Sequence, residues 1–331
     1  MKKALFILTL TLFATFVIRA QEDNAYQAVP VHFSDTTWYD KGFDFYIGGG
    51  LFQGNKFNAN YYNGSTLNEC NLAYIFDNEY RHKDLMQLIS EKYPYVSIDD
   101  EVSVPVDNGA AFGDNNYYNW STHYKTQLMI GLGVRYKIGD GWGLSLSYSF
   151  SRLTANAQCL LVTTNDYGNT RKTPSMLMAG KEDRSMIDLS ASYLFSQVHP
   201  RVKPFVELGA QFNYAKVKSF QAYVLDQDGM PCGDGLTLFN LYRDHGYMPG
   251  ATAYDDIIYG GAGFGISGSA GLKIVVSRSV SIDPTFYCYM GRLGVYQKKN
   301  CPVERLAEGN RFTFNWGVML RVVMNDFFFS K

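Results

Sequence analysis

Charged residues are scarce in this 331-residue sequence: Asp, Glu, Lys and Arg make up 18% of it, against about 25% in an average soluble protein. Proline is also rare, with 10 residues, while Phe, Tyr and Trp together reach 16%. Disordered chains and coiled coils have few aromatics and many charges, so both classes are excluded. The 5 cysteines include no C-x-x-C pair, and no two histidines have metal-ligand spacing. We therefore expect neither a metal nor another cofactor.

Long apolar runs are absent apart from one at residues 4–18, which follows Lys2 and Lys3. Basic residues, an apolar run and then a small residue predict a secretory signal peptide over residues 1–20, cleaved near Ala20. The alternative is a membrane-anchoring helix, for which the run is short. Cleavage removes three basic residues and no acidic ones, so the mature net charge is 27 − 31 = −4. A negative chain of this kind predicts no binding to nucleic acid.

The rest of the chain is marked by strict alternation of apolar and polar residues, which is the period of a β-strand with two different faces. From Gln127 to Ile138 one parity is apolar and the other is mostly glycine or polar, and Trp142 to Phe150 repeats the pattern. Only Gly139-Asp140-Gly141 separates the two, which predicts a tight hairpin turn. We count eight such segments, at 41–52, 125–138, 141–152, 185–196, 203–216, 257–276, 279–292 and 311–324.

The connections between these segments alternate strictly between long and short. Those at 53–124, 153–184, 217–256 and 293–310 are long, and those at 139–140, 197–202 and 277–278 are short. Transmembrane barrels combine short periplasmic turns with long extracellular loops, whereas a soluble β-sandwich has no reason to alternate them. The pattern predicts an all-β fold, a single antiparallel transmembrane barrel of eight strands over residues 41–331, after a periplasmic segment at 21–40. Ten strands stay open if part of the first loop joins the wall.

Two of the long loops contain secondary-structure signals of their own. Residues 78–92 predict a helix in the first loop, with Asp77 as its N-cap and apolar residues on one face. Alternation at 217–225 predicts strands that continue above the membrane. The first loop also has aromatic residues that either form a recognition surface or pack into a folded cap. They are Tyr61, Tyr62, Tyr117, Tyr118 and Trp120.

Together these features resemble the small eight-stranded outer-membrane barrels of Gram-negative bacteria, and the chain is similar to the OmpA transmembrane domain and to OmpX. Strand motifs at 204–210 and 263–273 carry the resemblance. It implies a protein that contacts outer-membrane lipid and is inserted by the barrel-assembly machinery, for which the aromatic cluster at 327–329 would serve. No peptidoglycan-binding domain follows the last segment, in contrast to full-length members of the OmpA type.

Aromatic residues on the apolar parity gather near both ends of the segments. Two such girdles are typical of a lipid interface on each side, and ordinary strand propensity is the alternative explanation. On the side of the short turns they are Phe43, Tyr136, Trp142 and Phe195, and on the side of the long loops they are Tyr148, Phe150, Tyr214, Phe312 and Phe314.

The other parity points into the barrel, where acids and bases fall at one depth. They are Asp44, Arg135, Glu207, Lys273, Asp283 and Arg321, together with Ser145 and Ser192. The interior of an eight-stranded barrel is just filled by side chains, and buried charges must be paired. We therefore predict a structural ion-pair layer, with opposite charges on neighbouring strands, that closes the lumen. The alternative is a narrow channel in which these charges form a selectivity ring.

One glycine-rich stretch in the predicted strand at 257–276 has the spacing of a nucleotide-binding motif. The stretch Gly263-Phe-Gly-Ile-Ser-Gly268 matches G-x-G-x-x-G, but a nucleotide site needs this motif at a strand-to-helix turn. Here it lies inside a strand, so we interpret the glycines as lumen positions that leave room for neighbours.

An exported protein can form disulfides, and four cysteines fall one in each long loop. They are Cys70, Cys159, Cys232 and Cys301, whereas Cys288 faces lipid. Unpaired thiols are the alternative.

Polar residues near the extracellular rim leave an outer-membrane hydrolase as one alternative function. They are His123, Asp244, His245, Asp255 and Asp256. Adjacent strand residues point to opposite faces, so none of them forms a catalytic dyad by sequence adjacency alone. We expect instead a protein that is not an enzyme, with a structural or surface-interaction role in which the loops bind an extracellular protein or glycan. A narrow solute channel and an accessory role in secretion are the remaining alternatives.

Overall fold

The computed structural model describes residues 41–64, 72–76, 79–97, 102–103, 122–163, 174–195, 201–238, 260–277, 279–293 and 312–325. Eight long antiparallel strands, numbered β1 to β8, form its wall. They are β1 Gly42–Gln53, β2 Gln127–Gly139, β3 Trp142–Leu160, β4 Ser175–Leu194, β5 Val202–Leu225, β6 Gly260–Val275, β7 Val280–Gly291 and β8 Thr313–Met324.

Each of these strands pairs with the next one in the chain, and β1 also pairs with β8, so the sheet closes into a barrel. The ring has eight strands, as predicted, and not ten. Two short strands extend the wall outside the ring: His123–Tyr124 pairs with β3, and Pro231–Thr237 pairs with β5. A separate pair joins Val102–Ser103 to Val162–Thr163.

The tight turn between β2 and β3 depends on backbone angles that most residues avoid. Gly139, Asp140 and Gly141 have φ angles of 127°, 51° and 81°. Glycine adopts positive φ without steric cost, and Asp tolerates the left-handed region better than most residues. The hairpin predicted from Gly-Asp-Gly is therefore confirmed, together with the reason for its composition.

The outer surface of the barrel is a band of exposed apolar side chains. Leu128, Leu208 and Phe264 are 73%, 67% and 66% exposed to solvent in the isolated chain. Single exposed apolar residues are ordinary, but a continuous apolar ring of this size needs a cover, and lipid supplies it for a barrel. Among the described helices none is long and apolar enough to cross a membrane.

Strands β3, β4 and β5 are longer than predicted, because their residue pattern inverts beyond the apolar band. Up to Phe150 the outward side chains of β3 are apolar and the inward ones are serine or glycine. From Arg152 onward the outward residues are mostly polar, and the inward ones, from Leu153 to Cys159, are apolar and buried. Residues 153–160 and 175–184 are therefore strand and not loop, which corrects the predicted loop 153–184. At 217–225 the strand β5 continues beyond the apolar band, which confirms the continuation predicted from the alternation there.

The parts of β3, β4 and β5 that extend beyond the apolar band are called their raised parts. A second core lies between these raised parts and the first long connection. That connection contains the helices α1 Lys56–Ala59, α2 Ala73–Phe76 and α3 Glu79–Lys92, with a 3₁₀ turn at Asn60–Tyr62. The helix predicted at 78–92 is thus present as α3, with Leu85 and Ile89 fully buried and Leu88 packed beside them. Its predicted N-cap, Asp77, lies outside the described residues. The helices pack on the inward apolar faces of β3 to β5, so the barrel ends in an apolar cap.

Candidate functional site

The residues of the two predicted aromatic girdles all lie on the outer surface of the barrel, exposed or half-buried. Near the short turns, the rings of Phe43 and Tyr136 are 4.8 Å apart between centroids, and those of Trp142 and Tyr193 are 4.9 Å apart. Tyr193 also contacts Phe195 at 5.0 Å. Tyr193 thus joins the girdle on the short-turn side, although it was not among the residues predicted there.

Glu207 is the centre of the charged layer inside the barrel. Its carboxylate accepts hydrogen bonds from Arg135 Nη2 at 2.7 Å and from Arg321 Nη1 at 2.8 Å. Ser269 Oγ donates a third bond at 2.6 Å. The second guanidinium nitrogen of Arg135 lies 3.6 Å from Asp283 Oδ2. The four charged groups are buried, so one carboxylate holds two guanidinium groups across the lumen.

Asp44 forms a second ion-pair cluster nearer the short turns. Its two oxygens lie 3.1 Å from Lys273 Nζ and 3.3 Å from Lys137 Nζ. Lys273 also donates to the side-chain oxygen of Asn325 at 2.8 Å. Lys137 has the inward parity in the sequence, but it was not among the charges predicted for the layer.

The six predicted charges come together, but their contacts differ from the predicted ones. Asp44 and Arg135 are register partners on β1 and β2, yet each binds other residues. Asp283 and Arg321 are register partners on β7 and β8, yet Arg321 binds Glu207. Strands in a barrel are tilted and staggered, so side chains at one depth are not side by side, and long side chains reach across the narrow lumen. The layer is therefore bridged across the lumen and not around its circumference.

Aromatic rings cover the guanidinium groups of this layer. The centroid of the Tyr46 ring is 4.9 Å from Arg321 Cζ and 6.0 Å from Arg135 Cζ, and Phe205 lies 5.1 Å from Arg135 Cζ. The faces of aromatic rings attract cations at such distances. Ring and carboxylate contacts together fix both arginines in the lumen.

Polar side chains fill the middle of the lumen above the charged layer. Gln211 donates hydrogen bonds to Asp188 at 2.8 Å and to the hydroxyl of Tyr287. Two cavities of about 30 and 20 Å³ lie in the lumen, one near Asp44 and one near Asp188. Spaces of this size hold one or two water molecules each. The described lumen therefore has water-sized spaces in a packed interior.

Glu182 is the centre of a third buried cluster, at the level where the barrel meets its cap. Its carboxylate accepts hydrogen bonds from the hydroxyls of Tyr62 and Tyr124, each at 2.8 Å, and from Arg184 Nε at 2.5 Å. Arg184 also donates to the side-chain oxygen of Asn315 at 3.2 Å. This cluster was not predicted, because residues 153–184 were interpreted as loop. Glu182 and Arg184 have the inward parity of β4, so extending the alternation of that strand toward its N-terminus would have predicted both charges.

Two tyrosine rings, one in the first long connection and one in the lumen, pack directly against glycines. A Cβ atom at Gly180 would lie 2.0 Å from the Tyr62 ring, and one at Gly265 would lie 2.7 Å from the Tyr289 ring. Gly265 thus leaves space for a lumen side chain, as interpreted from the sequence, whereas Gly268 has the parity of the exposed Phe264 and Ile266 and lies beside Cys288 and Leu208. Tyr61 and Tyr62 are buried and pack into the cap, whereas Tyr117, Tyr118 and Trp120 lie outside the described residues.

Cys159 and Cys232 are free thiols, so neither forms the loop disulfide that the sequence allowed. Both are buried, Cys159 on the inward face of β3 and Cys232 in the short strand beside β5. Their positions in paired strands hold each sulfur in the core and not in a loop. Cys288 is also free, whereas Cys70 and Cys301 lie outside the described residues.

Cys159 is expected to resist alkylation in the folded protein. Burial raises the pKa of its thiol to about 12, and the thiolate is the reactive form. At pH 8 we expect labelling by iodoacetamide to be about a thousandfold slower than for a thiol of ordinary pKa. Peptide mass spectrometry after timed labelling measures this rate, and labelling after full denaturation is the control. Rapid labelling of the folded protein, or a cross-linked Cys159 peptide, would contradict the structure.

Of the five predicted rim residues, the structure describes His123. His123 is exposed on its short strand, paired in register with Asn156. Asp244, His245, Asp255 and Asp256 lie outside the described residues. Within the described part of the chain, no group of three His, Cys, Asp or Glu residues could hold a metal ion.

A closed ring of eight antiparallel strands, an apolar outer band and a polar interior are now established. The chain is an eight-stranded β-barrel of the outer-membrane type. No family model matches its sequence, and no curated protein matches it. This assignment rests on the strand register and the exposed band.

Solved structures of outer-membrane barrels are similar to this barrel over most of its chain. Neisserial surface protein A is 8% identical, with a TM-score of 0.36, over 85% of this chain and 95% of that chain. The outer membrane protein OprG from Pseudomonas aeruginosa is 11% identical, with a TM-score of 0.32, over 86% and 94%. Ail, the attachment invasion locus protein of Yersinia pestis, solved in complex with the heparin analogue sucrose octasulfate, is 10% identical, with a TM-score of 0.30, over 86% and 98%.

Proposed function

We propose that the protein is a non-enzymatic surface protein in the outer membrane of a Gram-negative bacterium. Its barrel anchors and supports an extracellular layer that binds a partner protein or a glycan. In this proposal the signal peptide at 1–20 directs export, and the barrel-assembly machinery inserts the chain. The observation that carries the proposal is a lumen closed first by ion pairs and then by an apolar cap.

A closed lumen favours a role as a membrane anchor over a role as a channel. Glu207 and its two arginines cross the lumen at one level, and Glu182 with Tyr62 and Tyr124 crosses it at another. Charges lining a selectivity ring face water in an open path, whereas these are buried and bound to each other. The second feature in support is the raised wall of β3, β4 and β5, which extends beyond the apolar band on the side of the long connections.

The purified protein is expected to show no steady conductance in planar lipid bilayers. Ions would have to break the contacts of Glu207 and of Glu182 at two levels, so we expect currents at the level of the bare bilayer. A known porin reconstituted in the same way controls for insertion, and a folded-protein gel shift controls for the barrel itself. Ohmic currents that grow with the number of inserted barrels would overturn the closed-lumen proposal in favour of a narrow channel.

The interaction role is tested by crosslinking on intact cells. Lys181 and Lys218 are exposed beyond the apolar band, and Lys41 is exposed at the opposite end of the barrel. A membrane-impermeant lysine crosslinker should join the protein to a surface partner through the first two positions. Crosslinks only through Lys41 after permeabilisation would contradict a surface role and favour a periplasmic one, such as an accessory function in secretion.

A further inference from the structure

A row of charged side chains crosses the outer face of three neighbouring strands. Arg152 on β3 is the register partner of Asp183 on β4, and Asp183 is the register partner of Lys216 on β5. All three have the outward parity of their strands. Lys218 follows in a β-bulge opposite Lys181 and Glu182, which places its Nζ 3.6 Å from Asp183 Oδ2. The row is thus part of the regular wall and not of a loop.

The row lies directly above the edge of the apolar band. Two residues along each strand toward the apolar band, the register partners are Phe150, Ser185 and Tyr214. Two residues further along they are Tyr148, Ile187 and Phe212. Two residues of strand span about 7 Å, which is about the depth of a headgroup layer. The charged row therefore stands at headgroup depth, just outside the aromatic girdle.

Basic residues outnumber acidic ones at this level. Arg152, Lys181, Lys216 and Lys218 all lie on the outward parity, and Lys125 is exposed next to β3, with its backbone N–H bonded to Thr154 O at 2.9 Å. We call these five residues the basic belt. On the outward face of the raised parts of β3 to β5, Asp183 is the acidic residue that the described chain contributes. Among the described residues, Lys181 and Lys216 have no acidic partner within ion-pair distance.

Asp183 lies between the basic residues of β3 and β5 and does not neutralise the belt. Arg152 donates to both of its oxygens, from Nε at 2.7 Å and from Nη2 at 3.2 Å. Burial alone would raise the pKa of Asp183, but the hydrogen bond and charge of Arg152, together with Lys218, lower that pKa below its ordinary value. The carboxylate is therefore ionised at neutral pH and binds Arg152 and Lys218, while Lys125, Lys181 and Lys216 remain available to a ligand.

We propose that the basic belt binds the phosphate groups of a phosphorylated glycolipid in the surrounding outer leaflet. Arg and Lys side chains at headgroup depth, above aromatic rings that contact acyl chains, match a ligand with an anionic head and an apolar tail. A soluble anion would use the charges but not the aromatic edge below them. The proposal rests on the outer-membrane placement proposed above, and it adds a ligand class and a site.

The test measures binding of lipid A with both phosphates to the detergent-solubilised protein by native mass spectrometry. The double variant Lys181→Gln/Lys216→Gln removes two basic residues without an acidic partner and leaves the Arg152–Asp183 pair intact. The matched control Lys83→Gln/Lys92→Gln makes the same charge change on the exposed side of α3. We expect the apparent Kd to rise about tenfold in the belt variant, to stay unchanged in the control, and to rise with added salt in the wild type.

Two further probes identify the ligand chemistry. Dephosphorylated lipid A should bind at least tenfold more weakly than the phosphorylated form to the wild type. Equal binding of both forms, or equal binding by wild type and belt variant, would overturn the proposal. Belt-dependent binding of a soluble sulfated oligosaccharide without binding of phosphorylated lipid would also overturn it, in favour of a soluble glycan site. The assay does not depend on conductance, so a failure here is distinct from a failure of the closed-lumen proposal.

Discussion

Glu207→Ala is expected to lower the free energy of unfolding of the barrel by about 3–5 kcal/mol, which is the typical effect of removing one partner of a buried ion pair. The substitution leaves Arg135 and Arg321 buried in the lumen without the carboxylate that both of them bind. Asp283, 3.6 Å from Arg135, compensates in part for that residue. Arg321 has no second ion pair among the described residues, so most of the loss is expected to come from it.

The measurement is a denaturant titration of the protein folded in lipid vesicles, followed by the gel shift that separates folded from unfolded barrels. Glu79→Ala, at a side chain that is 78% exposed, is the control and is expected to change stability by no more than about 0.5 kcal/mol. A double variant, Glu207→Leu/Arg321→Met, removes the carboxylate together with Arg321, keeps Arg135 beside Asp283, and should recover much of the lost stability, because a buried ion pair adds little over apolar packing. Equal stability of Glu207→Ala and wild type would contradict the structural role of the layer.

The wall of the barrel could be predicted from the sequence because lipid imposes one simple pattern on every strand. Outward positions within the bilayer must be apolar, so alternation of the kind seen at 127–138 identifies both the strand and its outer face. The tight turn at 139–141 and the long connections then set the order of the strands. The predicted fold is confirmed for these reasons, and the predicted ends of β1, β2, β6, β7 and β8 lie within three residues of the observed ones.

The raised parts of β3 and β4 were not predicted, because their pattern follows a different rule, whereas the continuation of β5 over 217–225 was predicted from its alternation. Above the lipid the outer face meets water and the inner face meets the cap, so Arg152 is outward and Leu153 is inward. A search for outward apolar residues therefore ends at Phe150, although the strand continues to Leu160. A test for alternation of either sign would have followed the strand across the membrane edge.

The ion pairs could be predicted as a set but not contact by contact. Inward parity identified Asp44, Arg135, Glu207 and their partners, since a charge on that parity has no lipid or water to face. Which charges meet depends on the tilt of the strands and on side-chain reach, and neither of these is visible in a linear sequence. Glu182 and Arg184 were lost for a different reason, because they belong to a stretch interpreted as loop.

Glu182→Ala is expected to release the first connection from the barrel while the barrel itself stays folded. Glu182 binds Tyr62 on the 3₁₀ turn, Tyr124 at the end of the same connection, and Arg184 on its own strand. Removing it takes the carboxylate partner from the buried Arg184 and the shared acceptor from both tyrosine hydroxyls. A cost of about 3 kcal/mol would raise the open population of this region about a hundredfold, and local opening is what proteases detect.

Limited trypsin digestion of the vesicle-embedded protein measures this opening, because Lys56, Lys83 and Lys92 lie in the helices of the connection. Cleavage at these sites should accelerate about a hundredfold in Glu182→Ala, while the gel shift of the folded barrel persists. Tyr62→Phe, which removes one hydrogen bond and keeps the ring packed on Phe220 at 5.4 Å, should accelerate cleavage by no more than about tenfold. Loss of the gel shift together with cleavage would mean that cap and barrel unfold as one unit. Persistence of wild-type cleavage rates would mean that apolar packing alone holds the cap, because Glu182 would then be dispensable for its attachment.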